Sequence, residues 1–255
     1  MKLDPVYRYL VAVDIESYGK RDNQGQSELR AALRQVLADA FDAIDVSVDP
    51  AERQDQGDAF LTLVKPEVSK VRLVDDLVRE IENGLRRSNH YRTAEGKMRV
   101  RLALNAGDVH LDGTGFPGEA VVATGRLIDS VQLKESLARA PKDLAVIVSD
   151  GLYHDVVVHR YQAIDPAEYR RVDVAVKEFR QPAWIRIPGH PAAEIVTEAA
   201  SATASPAAQR PVTERDAASP AGTASALPGS INHSTFTGPT SFGGPAAGRD
   251  VNYHR

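Results

Sequence analysis

Cysteine is absent from all 255 residues, which excludes disulfides, thiolate metal ligands and cysteine nucleophiles together and suits a reducing compartment. Long apolar runs are missing too. The opening stretch, MKLDPVYRYLVAVDIESYGK, holds one short greasy segment that Arg8 and Asp14 interrupt, so neither a signal peptide nor a membrane span is expected. Nor is positive charge in excess: 31 Lys and Arg stand against 35 Asp and Glu, a formal net charge of −4. Without a global basic field the chain has no general attraction for DNA or anionic lipid. These absences lead to the expectation of a cytoplasmic protein that contacts neither DNA nor membrane, whose partners must be read from local sites.

A further scarcity divides the chain. From Gly189 to about Pro228 the sequence is alanine, proline, serine and threonine with hardly any large apolar side chain. Such a segment cannot bury enough area to offset its ordering entropy. The expected organisation is a domain over 1–188, a disordered Ala/Pro/Ser/Thr-rich linker over 189–228, and a final segment over 229–255. In that last segment Ile231, Phe236, Phe242 and Val251 stand among asparagine, serine, threonine and glycine, too few to form an independent core.

What is present in the first 188 residues is a regular alternation of strand and helix patterns. YRYLVAVD, residues 7–14, reads as a strand buried on both faces. Leu29, Leu33, Val36, Leu37, Ala40, Phe41 and Ile44 then form one stripe of an amphipathic helix. QDQGD followed by AFLTLV suits a hairpin with its tip at Gln56 and Gly57. A second helix carries Val71, Val74, Val78, Ile81 and Leu85, MRVRLALNAGDVH alternates as a strand, and GEAVVATGRLIDSVQLKESLARA reads as one helix. DLAVIVSD is a further strand, and RRVDVAVKE with AWIRIP makes a closing pair. The order predicts an α+β, ferredoxin-like domain with an antiparallel-rich sheet and helices packed mainly on one face.

Two carboxylates stand out. Asp14 ends the first strand and Asp58 follows Gly57 at the hairpin tip. Each alone fits local turn chemistry, because aspartate bonds readily to nearby backbone and Gly-Asp is ordinary at a hairpin. Together they can occupy one spot, since the first strand and the hairpin can lie side by side in this topology. One or two carboxylates, completed by phosphate oxygens and water, is how Mg²⁺ is usually held on a nucleotide.

At these residues the chain resembles the class III nucleotidyl cyclases. VAVDIESY is similar to their first metal-binding strand, and RQDQGDAFLTL to the hairpin whose Gly-Asp supplies the second metal aspartate. RVRLALNAGDV resembles the strand that ends in a His-Thr-Gly-like turn, here Asn105, Ala106 and Gly107. GEAVVATGRLID resembles the following helix, and AVKEFRQPAWI the late strand where a lysine meets the triphosphate. The resemblance runs in order over roughly residues 6 to 187.

That resemblance implies a head-to-tail homodimer acting on a nucleoside triphosphate with two Mg²⁺ or Mn²⁺ ions. It implies Asp14, Ile15 and Asp58 at the metals, Arg126 against transition-state charge from the other subunit, and Lys177 on the polyphosphate. A surface helix arginine and a solvated edge-strand lysine remain the plain alternatives for Arg126 and Lys177.

Three positions depart from the family pattern. The helix asparagine that orients the ribose is Val122 here, which has no hydrogen-bonding group. The base-reading lysine aligns with Gln54, and the base-reading aspartate or threonine falls near Gly115. Gln54 carries both a donor and an acceptor and so can read a base edge, though not as an adenine- or guanine-selective pair does. The uridylate and cytidylate cyclases of bacterial anti-phage signalling are similar in having altered base-reading positions.

INHSTFTGPTSFGGPAAGRDVNYH combines β-compatible residues, glycine turns and asparagines, a composition that can stack in register. It loosely resembles bacterial amyloid signalling motifs, which implies a protein partner carrying a matching segment. A plain disordered terminus is the alternative, and Pro239 and Pro245 oppose a continuous zipper. The chain is thus expected to be either a cyclase making a cyclic nucleotide messenger or a cyclase-like sensor without turnover that signals through its tail.

Overall fold

The computed structural model describes residues 4–195, apart from Gln56, Thr114 and Ala163. The segment over 229–255 and the linker from residue 196 onward lie outside the described residues. No helix among the described residues is long and apolar enough to cross a membrane.

Seven strands form one mixed sheet in the order β2-β3-β1-β4-β5-β7-β6. They are β1 (Val6–Ile15), β2 (Arg53–Asp55), β3 (Ala59–Val64), β4 (Val100–Val109), β5 (Leu144–Ser149), β6 (Tyr169–Val176) and β7 (Phe179–Arg186). All neighbouring pairs are antiparallel except β4 with β5. Central β1 is buried from Tyr9 onward, as its unbroken apolar run requires.

Strand alternation separates two cores. Tyr9, Val11, Val13 and Ile15 face helices α1 (Asn23–Ala43) and α2 (Leu77–Asn89), whose stripes include Leu29, Leu33, Leu37, Val78, Ile81 and Leu85. Leu10 and Ala12 face the opposite way, with Ala103 of β4, toward the shorter helices α3 (Glu119–Ile128) and α4 (Val131–Arg139). The helical cover is heavier on the first face, but both faces are covered. Asp22 starts α1 by accepting from the backbone N–H of Gly25 at 2.8 Å, a side-chain N-cap. A π-helical turn over Arg72–Asp76 leads into α2.

Three details differ from the sequence reading. The segment read as one helix breaks in two, because Ser130 donates to the carbonyl of Leu127 at 2.7 Å and accepts from the N–H of Leu133 at 3.4 Å. Its hydroxyl thus closes α3 and caps α4. The turn expected at Asn105, Ala106 and Gly107 is instead strand, since β1 keeps pairing with β4 as far as Val6 opposite Val109. Packing also continues past Pro188: Ile195 is buried in the second core, and Arg170 donates to its carbonyl.

Gly107 sets how closely α3 approaches. A Cβ there would lie 2.7 Å from the Cβ of Ala120, so a side chain would push the helix off the strand. Asn105, buried beside it, donates to the Ala120 carbonyl and to the Thr124 hydroxyl, both at 3.2 Å.

Candidate active site

The expected strand end and hairpin tip do meet. β3 pairs with β1 so that Asp14 lies opposite Ala59, and the N–H of Ile15 donates to the carbonyl of Asp58 at 3.3 Å. Gly57, with φ 89°, provides the left-handed turn that brings β3 back from β2. Asp58 is half-buried at this turn, whereas Asp14 is 7% exposed and Ile15 fully covered.

The Asp14 carboxylate has a partner that sequence reasoning missed. Across the β1–β4 ladder Asp14 pairs with Arg101, whose Nε donates to Oδ1 and whose Nη2 donates to Oδ2, each at 2.7 Å. This is the bidentate fork that matches guanidinium to carboxylate. Two positions further, Arg99 donates to Glu16 at 2.8 Å and to the carbonyls of Ala140 and Lys142 at 3.0 and 3.2 Å. Arg99, just before β4, thus ties the end of β1 to the chain that follows α4. A signal for them was present: Arg99 and Arg101 alternate in MRVRLALN, but their partners depend on a register that the sequence does not state.

Burial pushes the Asp14 carboxyl up to about 6, opposed by Arg101, with the nearby charges of Asp58 and Asp129 adding to the rise. Both of those carboxylates therefore lie within electrostatic range of Asp14. Between its ordinary 3.8 and about 6 the folded protein keeps a proton that the unfolded chain has released. The group thus stabilises the fold at low pH, and the contribution is lost as pH rises through about 6. The stability of the native protein relative to Asp14→Asn should accordingly fall between pH 4 and pH 7 by up to ~3 kcal/mol. Urea unfolding of both proteins at the two pH values measures this, and a difference independent of pH would contradict it.

α3 starts beside Gly107 and Asp108, where Ala120 and Gly118 touch β4, and ends with Asp129 near Asp14. Arg126 therefore sits in its last turn, half-buried, one turn beyond Val122, which is 55% exposed. The other expected residues fall in two places. Gln54 on β2 lies close to Gly115: its Nε2 is 3.9 Å from where a Cβ of Gly115 would stand. Lys177 occupies the turn between β6 and β7 with φ 55°. That hairpin forms the far edge of the sheet, and its turn lies at the opposite end of β7 from Arg186, the residue that pairs near the Asp14 level. Within one chain the structure brings Asp14, Ile15 and Asp58 together, and Gln54 with Gly115, but it does not bring Lys177 to them.

No protein-family model matches the sequence, and no curated protein matches it. Solved structures do. The guanylyl cyclase Cya2 superposes with a TM-score of 0.52 at 16% identity, over 73% of this chain and 93% of that one. The adenylate/guanylate cyclase/hydrolase from Silicibacter pomeroyi gives 0.52 at 16%, over 73% and 99%. A bacterial light-regulated adenylyl cyclase gives 0.50 at 14%, over 76% and 57%. The chain has the nucleotidyl cyclase fold.

For this cyclase fold the sheet, the hairpin and α3 are as the sequence resemblance implied. The residues present also fit divalent ions. Arg101 takes one lone pair on each Asp14 oxygen, and a carboxylate offers about four such sites, so each oxygen keeps one for a cation. Among the described residues no group of three or more His, Asp or Glu forms a cage. An ion at this end of β1 would have Asp14, Asp58 and the adjoining backbone as protein ligands, with other oxygens from nucleotide and water, the arrangement Mg²⁺ favours.

Proposed function

We propose that this chain is a homodimeric nucleotidyl cyclase that converts a ribonucleoside triphosphate to a 3′,5′-cyclic nucleotide and pyrophosphate. The observation that carries the reading is the meeting of Asp14 and Asp58, 44 residues apart in sequence, at one end of β1. In the reaction the ribose O3′ bonds to the α-phosphorus, the bond from that phosphorus to the bridging oxygen of the β-phosphate breaks, and pyrophosphate departs. The hydroxyl proton passes to solvent. Divalent ions held by Asp14, Asp58 and the backbone at Ile15 would supply charge neutralisation and a more acidic 3′-hydroxyl.

The chain's own residues then bind and orient. Asp14 and Asp58 would hold the ions that bridge to the phosphates. Arg126 of the partner subunit faces charge building on the α-phosphate. Gln54 and the space left by Gly115 accept the base, without the side chain that the family pattern has at either position. Because the outer hairpin carries Lys177 away from Asp14 in one chain, a contact between Lys177 and the polyphosphate requires the second copy. The altered base-reading pair supports a place among variant cyclases of the bacterial defence kind.

Val122 favours a second reading. An exposed valine where the ribose-orienting asparagine stands in the family removes one positioned donor, which suits a nucleotide sensor that turns over slowly or not at all. Incubating the full chain with Mn²⁺ and each of the four ribonucleoside triphosphates separates the two. Pyrophosphate from at least one of them is expected. No product from any, with a triphosphate still raising the melting temperature, leaves the sensor.

A further inference from the structure

We infer that Arg101 is a positioning residue for the metal aspartate: its guanidinium holds the Asp14 carboxylate in the plane in which it receives a divalent cation. The inference rests on the reading of Asp14 as a metal ligand and adds a residue that the motif resemblance does not supply.

The geometry is specific. Two N–H groups of one planar fork reach two oxygens of one carboxylate at 2.7 Å each, and the side chains are only 12% and 9% exposed. Arg101 supplies the opposite charge and removes the freedom of the carboxylate to rotate about its own bond. It leaves one lone pair on each oxygen unused. Arg101 is itself held in the β4 ladder, where it pairs with Asp14 on one side and Ala145 on the other. The orientation is therefore inherited from the sheet and does not depend on a loop. Partners that orient a ligand from behind typically alter metal affinity ten- to a hundredfold when changed.

A lysine keeps the charge but cannot form the fork. Arg101→Lys thus separates orientation from charge, and a second pair controls for lost stability. Arg8 donates to Glu52 at 3.1 and 2.9 Å through Nε and Nη2, with side chains 14% and 9% exposed. It is a similarly buried arginine pair near the opposite end of β1. The measurement is the affinity of the full-length protein for Mn²⁺, from the electron paramagnetic resonance of free Mn²⁺, with each ribonucleoside triphosphate. It is made on the native protein, Arg101→Lys, Arg8→Lys and Asp58→Asn, and needs no turnover.

The expected result is ten- to a hundredfold weaker Mn²⁺ binding for Arg101→Lys, with Arg8→Lys unchanged from the native protein even where both variants melt earlier. Native-like affinity in Arg101→Lys, with Asp58→Asn impaired, overturns the role of Arg101 and leaves the metal site standing. Tighter binding in Arg101→Lys also overturns it, since the guanidinium would then be competing with the ion. Equal loss in Arg8→Lys and Arg101→Lys overturns it as a general effect of destabilisation. Native protein and Asp58→Asn that bind Mn²⁺ no better than the nucleotide alone overturn the cyclase reading itself.

Discussion

Asp58→Asn should abolish pyrophosphate release, by about a thousandfold or more, while moving the melting temperature by no more than ~2 °C. The reasoning separates two carboxylates that share a site but not an environment. Asp14 is buried and tied to Arg101, so changing it strands a buried guanidinium, and breaking such a pair from one side costs about 3–5 kcal/mol of stability. Loss of activity in an Asp14 variant would therefore be hard to assign. Asp58 is half-buried and makes no ion pair among the described residues. The amide has nearly the same shape and lacks only the charge. A metal ion contributes several kcal/mol to a phosphoryl-transfer transition state, and about 4 kcal/mol corresponds to a thousandfold in rate. A substitution away from buried features stays within about 0.5 kcal/mol in stability, hence the small thermal shift. Retained turnover in Asp58→Asn would mean that the hairpin carboxylate holds no ion.

Val122→Asn is expected to work in the opposite direction and raise turnover roughly a hundred- to a thousandfold, the span associated with a single well-placed donor. The position allows it. Val122 is exposed on α3, one turn before Arg126, so an asparagine neither disrupts the core nor alters helix preference, in which the two residues rank together. A rise in the rate at saturating triphosphate, with little change in the concentration for half-maximal rate, would identify the new amide as acting in the transition state. An unchanged rate would place this face of α3 away from the reacting ribose and favour the sensor reading.

Much of this was legible because it is local. The stripe from Leu29 to Phe41, the apolar run in β1 and the Gly57-Asp58 turn each declare themselves within a few residues, and the structure forms each of them. The meeting of Asp14 with Asp58 followed from knowing that the hairpin returns beside β1. What stayed hidden depends on pairing between distant segments. Arg101 reaches Asp14 across 87 residues, and a one-residue slip of β4 would have turned it to the other face. The alternation in MRVRLALNAGDVH read as strand through Asn105, Ala106 and Gly107, and the turn expected there came only from the family resemblance. Under α3, Gly107 lets the helix come close and Asn105 gives its Ala120 carbonyl a donor. The break at Ser130 was masked by apolar spacing that continues through Leu133 and Leu137 into α4, with only a hydroxyl marking the new cap. Lys177 was placed by motif order, which is silent on which end of the sheet a hairpin turn occupies.

The central claim is that Asp14 and Asp58 share divalent cations, and anomalous diffraction at the manganese edge tests it most directly. Crystals of the full chain grown with Mn²⁺ and a non-hydrolysable ribonucleoside triphosphate should show manganese within coordination distance, about 2.0–2.2 Å for an ion of this hard type, of carboxylate oxygens from both residues. Manganese bound to the triphosphate alone, or to carboxylates elsewhere in the chain, would contradict the account.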